Sequence, residues 1–303
     1  MRRKIPATHT LLCFEAAARH ESYTRAAQEL SLTQSAVSRQ ITALEEFLGQ
    51  TLFRRTRHGV ALTPRGAAYA RQVAERLRAL ERDTLDAMSL QGSGGAVHLA
   101  AVPTFATRWL IPRLPLLAVQ HPDIVVHIET HTRPFMFAET GFDAALYAGT
   151  ATQVANWAGT RAVALMQEEV VPVCSPALIN NLKKRPPLTP ETIAVLPLLQ
   201  QSTRPDGWRQ WFDAMGVAAP LALSGPRYEL FSMTAAAATH GLGVALVPRL
   251  LIEAELARGD LVGACNQPLR GERSYYLVTP DRGEDKPALA AFGQWLSQLA
   301  AGV

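Results

Sequence analysis

Two groups of residues in this sequence have the types and spacing to do chemistry, and in both cases that chemistry is binding. The first is Gln34, Ser35, Ser38, Arg39 and Thr42, which share one face of a helical repeat whose other face is the apolar stripe Val37, Ile41, Leu44 and Leu48. Short hydroxyls, an amide and a guanidinium on one helix suit hydrogen bonds to base edges and phosphates in a DNA major groove. The second group is a set of hydroxyl, amide and aromatic residues at expected strand ends and helix starts. It comprises Thr104 with Phe105, Thr130 and Thr132, Gln201 and Ser202, and Phe231 and Ser232. A hydroxyl at a helix N-terminus, beside free backbone N–H groups, attracts an anion. Each of these Ser and Thr residues also reads as a plain helix cap without a ligand. Arg133 reads equally as a carboxylate partner or as a surface arginine.

Catalytic patterns are missing. The sequence holds no nucleophile elbow, phosphate-binding loop, dinucleotide fingerprint or paired-carboxylate signature, and Gly241-Leu242-Gly243 reads as a turn. His98, His127 and His131 fall on or near expected neighbouring strands, but no Asp, Glu or Cys accompanies them as a metal site requires. No catalytic residue, metal or cofactor is therefore expected.

The elements that must hold the first group are short. Ser22–Leu48 reads as two helices around a break at Ser31-Leu32-Thr33, with Ala26 and Ala27 small enough for close approach and Thr33 as N-cap. A helix over His9–Arg19 completes a three-helix core, and Arg2, Arg3 and Lys4 precede it. After the stop at Gly49, Leu52–Thr56 and Val60–Thr63 flank Arg57-His58-Gly59 as a hairpin, which puts Arg54, Arg55 and Arg57 within reach of phosphates. Thr63-Pro64 opens a long helix with Gly66, Ala70, Val73, Leu77, Leu80, Thr84 and Ala87 at alternating steps of four and three, a seam that wants a second helix. At 1.5 Å per residue, about 27 residues reach about 40 Å. A homodimer through this helix is expected.

Gln91-Gly92-Ser93-Gly94-Gly95 reads as a linker. Beyond it, strands over Val97–Val102, Ile124–Glu129 and Phe142–Tyr147 alternate with a helix running from Pro103-Thr104 to Leu117. Near Ala162–Gln167 the chain passes into a second α/β lobe. That lobe carries a strand at Glu169–Cys174, helices at Leu188–Glu191, Asp206–Met215 and Glu229–His240, and a buried strand at Gly241–Pro248. It returns with a strand at Ser274–Val278 and a last helix from Pro287 to Ala300. Ligands in such sheets sit at the carboxyl ends of strands.

The run AAARHESYTRAAQELSLTQSAVSRQITALEEFLGQTLFRRTRHGVALTPRG resembles the DNA-binding domain of the LysR-type transcriptional regulators, almost continuously from Leu11 to Gly66. The whole chain has that family's length and layout. Phe14-Glu15-Ala16-Ala17-Ala18-Arg19-His20 and Trp109-Leu110-Ile111-Pro112-Arg113-Leu114 are similar to the subgroup containing the glycine-cleavage activator and the inducible β-lactamase regulator. The resemblance implies an α/β multi-domain chain, with a winged helix-turn-helix at 1–63, a dimerisation helix at 64–91 and a periplasmic-binding-protein-like effector domain at 92–303. Lobe I would span about 96–162 plus 267–303, and lobe II about 163–266. Thr24, Arg25 and Thr33 join the DNA-contacting set. The implied partners are double-stranded promoter DNA, a small carboxylated or amino-acid-like effector, and further copies of the chain as a dimer or tetramer. The competing reading is a solute-binding or catalytic α/β domain fused to a DNA-binding head.

Composition agrees with this division. The net charge of +4 is uneven: residues 1–90 hold 14 Lys and Arg against 9 Asp and Glu, whereas residues 91–303 hold 16 against 17. The basic excess lies with the helix-turn-helix, where neutralising phosphates makes binding salt-dependent. Cys13, Cys174 and Cys265 are odd in number and sit in apolar surroundings, which argues for buried thiols rather than disulfides. No run approaches the roughly 18 apolar residues of a membrane span, and the N-terminus lacks a signal-peptide pattern. A cytoplasmic protein without membrane contact is expected.

Overall fold

A computed structural model describes residues 4–57, 59–89, 95–182, 187–281 and 286–302. Arg2, Arg3, His58 of the hairpin turn and Gln91–Gly94 of the linker lie outside the described residues, as does the side chain of Ala87. The chain divides into two units, Met1–Gln91 and Gly92–Val303.

In the first unit, α1 (Thr8–His20), α2 (Tyr23–Glu29) and α3 (Gln34–Leu48) surround a core of Phe14, Ala26, Ala27, Val37, Ile41 and Leu44. Two small alanines on α2 let the neighbouring helices approach, and the apolar stripe of α3 faces inward, leaving its polar residues outside. Ser22 and Thr33 cap α2 and α3 by accepting the N–H of Arg25 and Ala36. Ser31 takes the turn between them at φ 55°. Arg19 on α1 reaches Glu15 and Glu29, and Glu29 also meets His20 at 2.6 Å, which ties α1 to α2. Those contacts hold the Glu29 carboxyl down at about 2.

The wing is β1 (Phe53–Thr56) paired antiparallel with β2 (Gly59–Leu62). Its entry is fixed from α3, because Glu45 Oε1 accepts the N–H groups of Leu52 and Phe53 at 2.6 and 3.0 Å. Its exit is fixed by Thr63, whose hydroxyl donates to the Thr51 carbonyl and accepts the Gly66 N–H, starting α4 (Pro64–Ser89). The first turn of α4 runs so close to the wing that a Cβ on Gly66 would lie 2.0 Å from the Leu52 carbonyl oxygen. The seam of α4 is used in two ways. Gly66, Ala70, Val73 and Leu77 pack into the core of this unit, while Leu80 and Thr84 are exposed; beside the seam, Leu85 and Met88 are exposed as well.

The second unit is built on β3 (Ala96–Ala101), α5 (Pro103–Phe105), α6 (Leu114–Gln120), β4 (Val125–Thr130), β5 (Ala144–Thr150), α7 (Ala151–Ala155), β6 (Thr160–Cys174), α8 (Pro176–Asn181), α9 (Pro190–Ala194) and β7 (Leu198–Gln201). It continues with α10 (Gly207–Ala214), β8 (Arg227–Tyr228), α11 (Phe231–Thr239), β9 (Val244–Pro248), α12 (Glu253–Arg258), β10 (Val262–Gly263), β11 (Leu269–Pro280) and α13 (Pro287–Ala301). The strands order as β4-β3-β5-β11-β6-β9-β7-β8, with β10 on β6. One side of that order packs around Phe105, Trp109, Tyr275 and Phe292. The other packs around Trp208, Trp211 and Phe212.

One expectation changes. The helix from Pro103 does not run unbroken to Leu117; α5 gives way to a π turn at Ala106–Leu110, a 3-10 turn at Ile111–Arg113, and then α6. Pro112 and Pro115 each remove a backbone donor and crowd the preceding turn, which breaks the regular ladder. Ala162–Val163, where the change of lobe is expected, lies inside β6, which pairs with β11 from Thr160 to Val170 and with β9 from Val170 onward. The pairing with β11 breaks register at Glu168, between Arg270 and Ser274 of β11, and resumes at Glu169 and Val170. Among the described residues, no helix is long and apolar enough to cross a membrane. Cys13, Cys174 and Cys265 are free and buried, and burial pushes the Cys174 thiol up to about 11.

The tight approach at Gly66 gives a test. Gly66→Ala should lower the stability of the N-terminal unit by about 2 kcal/mol or more, because backbone must move to admit the methyl; chemical denaturation followed by circular dichroism would measure it.

Candidate nucleic-acid interface and effector cleft

The outer surface of α3 presents Gln34, Ser35, Arg39 and Thr42 exposed, with Ser38 half-buried among them. Thr33 caps the helix and its hydroxyl lies 3.1 Å from that of Ser35, while Thr42 donates back to the Ser38 carbonyl. Thr24 and Arg25 are exposed on α2, and Arg54, Arg55 and Arg57 are exposed on the wing. What separates these arginines from Arg19 is pairing. Arg19 is held by two carboxylates, whereas Arg25, Arg39, Arg54, Arg55 and Arg57 form no ion pair with a carboxylate among the described residues. Their guanidinium groups remain open to an external anion.

In the second unit, a cavity of about 60 Å³ lies where the two lobes meet. Thr104, Phe105, Thr132, Gln201 and Phe231 line it; Thr130, Ser202 and Ser232 do not. Thr104 is buried at the end of the β3 connection, and its hydroxyl crosses between the lobes, donating to Ser232 Oγ at 3.5 Å and accepting the Ser232 N–H at 3.3 Å. Ser232 thus touches Thr104 from behind the lining. Phe105 is fully buried, stacked on Trp109 and Tyr275 at 4.8 and 4.3 Å. Gln201 is committed to the fold: its amide donates to the Glu229 carbonyl at 2.6 Å and to Thr203 at 3.0 Å, and its oxygen accepts from Thr234 at 3.1 Å. Ser202 is exposed, and its N–H donates to the Tyr228 carbonyl. Thr130 is exposed at the end of β4.

The charged members of the cleft are ones sequence reasoning did not select. Arg133 is exposed and lines neither this cavity nor the larger one beside it. Arg204 lines both, with its guanidinium 3.7 Å from Glu168, 3.5 Å from the Ala148 carbonyl and over the Phe231 ring at 6.0 Å. Glu168 is 5% exposed. Its charge acts on Tyr275, whose hydroxyl is pushed well above its ordinary range by burial and by that carboxylate. Arg273 approaches from β11 and is pulled down by burial and by Arg204. The available signal was Arg204-Pro205-Asp206-Gly207, a turn sequence just past the Gln201-Ser202 strand end, but nothing in it says that the arginine turns inward. A second set of contacts joins the segment after Thr104 to α12, through Arg108 to Glu255 and Arg113 to Glu253.

The histidines form a different arrangement. His98 and His127 are register partners on β3 and β4 with rings stacked at 5.0 Å. Because β4 ends at Thr130, His131 leaves their face and packs against Phe135 and Phe142.

A winged helix-turn-helix with an open cationic surface, followed by a two-lobed α/β unit with a charged cleft, defines a class of ligand-responsive DNA-binding proteins. Sequence-family comparison agrees: residues 8–67 match the bacterial regulatory helix-turn-helix protein, lysR family, and residues 90–301 match the LysR substrate binding domain. The chain belongs to the LysR family. It is 36% identical over 301 residues to the glycine cleavage system transcriptional activator of Escherichia coli (strain K12), covering 99% of this chain and 96% of that one. Among solved structures it resembles the effector domain of the transcriptional regulator AmpR of Pseudomonas aeruginosa, with 28% identity and a TM-score of 0.59, covering 68% of this chain and 95% of that one. The full-length Vibrio cholerae virulence activator AphB, at 18% identity and a TM-score of 0.60, shares the fold over 96% of this chain and 98% of its own.

The hydrogen bonds of Gln201 give a second test. Gln201→Ala strands the Glu229 carbonyl, while the Thr234 hydroxyl keeps the Leu230 carbonyl as acceptor, and should cost about 1 to 3 kcal/mol, measurable as a lower denaturation midpoint before any ligand is added.

Proposed function

We propose that the chain is a non-enzymatic transcriptional regulator of the cytoplasm, which binds double-stranded promoter DNA through α3 and the wing and responds to a small effector held between the lobes of residues 92–303. The observation that carries the reading is the unpaired cationic and hydroxyl surface of α3 and β1: Arg39, Arg54, Arg55 and Arg57 have no carboxylate partner among the described residues. An arginine placed for its own fold finds a carboxylate, as Arg19 does; one placed for phosphate does not need one. The helix N-terminus at Gln34 and Ser35 adds backbone donors for a phosphate.

Leu80, Leu85 and Met88 on α4 leave an apolar strip for the same helix of a second copy, which supports a dimer, and a dimer of dimers by the family's habit. Two helix-turn-helix units brought together this way read two half-sites. Effector binding acts by favouring one arrangement of the lobes over another, which requires different affinity for the two. The hydrogen bonds of Thr104 to Ser232 across the lobes support a role for it in that change.

Mobility shift with promoter DNA across salt concentrations tests the DNA surface. Ser38→Ala and Arg39→Ala should weaken specific binding by about 1 to 3 kcal/mol with the melting temperature nearly unchanged. A matching loss of thermal stability in both variants would show that these residues serve the fold instead. For the effector half, Thr104→Val should blunt induction of a reporter while DNA retention stays at the native level; full induction by that variant would remove Thr104 from the response.

A further inference from the structure

The cavity at Thr104 is not the largest space at the junction of the lobes. Beside it, sharing Gln201, Arg204 and Phe231, lies a chamber of about 440 Å³. That is within the range of small-molecule sites, whereas about 60 Å³ holds only a few waters.

We infer that this chamber receives the effector and selects a monocarboxylate with an apolar body, its carboxylate set between Arg204 and Arg273. The inference rests on the effector-domain reading above and names the ligand class of that domain. Charge is the first argument. Two guanidinium groups face the chamber beside a single buried carboxylate, Glu168, which is already paired with Arg204 at 3.7 Å. Arg273, partly buried, donates to the neutral Gln153 Oε1 at 3.3 Å and forms no ion pair of its own among the described residues, so that Glu168 acts on it only through its charge. Of the other acids on the lining, Asp206 is paired with Arg209 at 2.9 Å, and Glu272 is exposed. Arg204, Arg273 and Glu168 together thus carry one positive charge in a partly desolvated space, and burial together with Arg204 pulls Arg273 below its ordinary value. A single carboxylate removes the imbalance and accepts in the planar geometry guanidinium groups prefer; a phosphate dianion would leave an excess negative charge beside Glu168.

Packing is the second argument. Val170, Leu199, Trp208, Leu246 and Leu269 form the apolar part of the lining, so the body that follows the carboxylate must be apolar to fill it. Glu168 and Arg273 also lie where the pairing of β6 with β11 breaks register, so a ligand anchored there touches the two strands that run through both lobes.

Thermal denaturation of the full-length chain tests this directly, with hexanoate, phenylacetate, L-leucine and L-phenylalanine as probes at about 10 mM, each beside its primary amide. At least one acid should raise the melting temperature by about 5 °C while its amide does not. Arg273→Leu should abolish the shift, whereas Arg133→Leu, which removes an exposed arginine outside the chamber, should keep it. The unliganded melting temperature and DNA retention of Arg273→Leu establish that the variant is folded. No shift with any of the four acids, an equal shift with acid and amide, or a shift that survives Arg273→Leu would each overturn the inference. Because DNA retention is read separately, those outcomes would leave the regulator reading standing; loss of DNA binding by the native chain would remove that wider reading instead.

Discussion

The effector unit depends on one pairing, that of β6 with β11. These are its two longest strands, and they are the ones that both lobes share: β11 also pairs with β5, and β6 goes on to β9. A sheet that continued in register would weld the lobes into one slab. Instead the ladder slips between Arg270 and Ser274, just before β6 gains β9 on its other edge, and Glu168 lies buried at the slip with Arg204, Arg273 and Tyr275 around it. A buried carboxylate is tolerated only when cations and donors surround it. The same residues therefore bridge the lobes and give the cleft its charge.

The DNA-binding unit solves a different problem, that of keeping a polar helix face free. α3 has its apolar stripe in the core, its N-terminus capped by Thr33, and its C-terminal end tied to the wing by Glu45. Three carboxylates on α1, α2 and α3 are spent internally: Glu45 on backbone N–H groups, Glu15 and Glu29 on Arg19 and His20. The arginines of α3 and the wing are consequently left uncompensated, and this local excess is the one already visible in the charge of residues 1–90. Fold and electrostatics are set by the same allocation of acids.

Local pattern was enough for the helix-turn-helix, the wing and the start of α4, since caps, small residues and a 3.6-residue period act within a few positions of each other. It was enough as well to mark the strand ends near Thr104, Gln201 and Phe231. It failed where nearby residues compete. The π and 3-10 turns after Phe105 follow from two prolines, yet a run such as Trp109–Leu117 still looks helical by period. The lobe boundary has no local marker, because a strand that runs on from one set of partners to the next shows no break in its own sequence.

The sequence by itself determined which residues are polar, which are apolar and at what period, and with them the identity of each domain and the surface that faces outward. Only the tertiary structure decided the interior of the cleft. Glu168, Arg204, Arg273 and Tyr275 lie on three separate segments, and whether an arginine at a strand end points to solvent, as Arg133 does, or inward, as Arg204 does, is set by packing from the other lobe. That information is nonlocal: the cost of burying Glu168 depends on Arg273 and Tyr275, more than a hundred residues away, and no spacing within one segment can encode it.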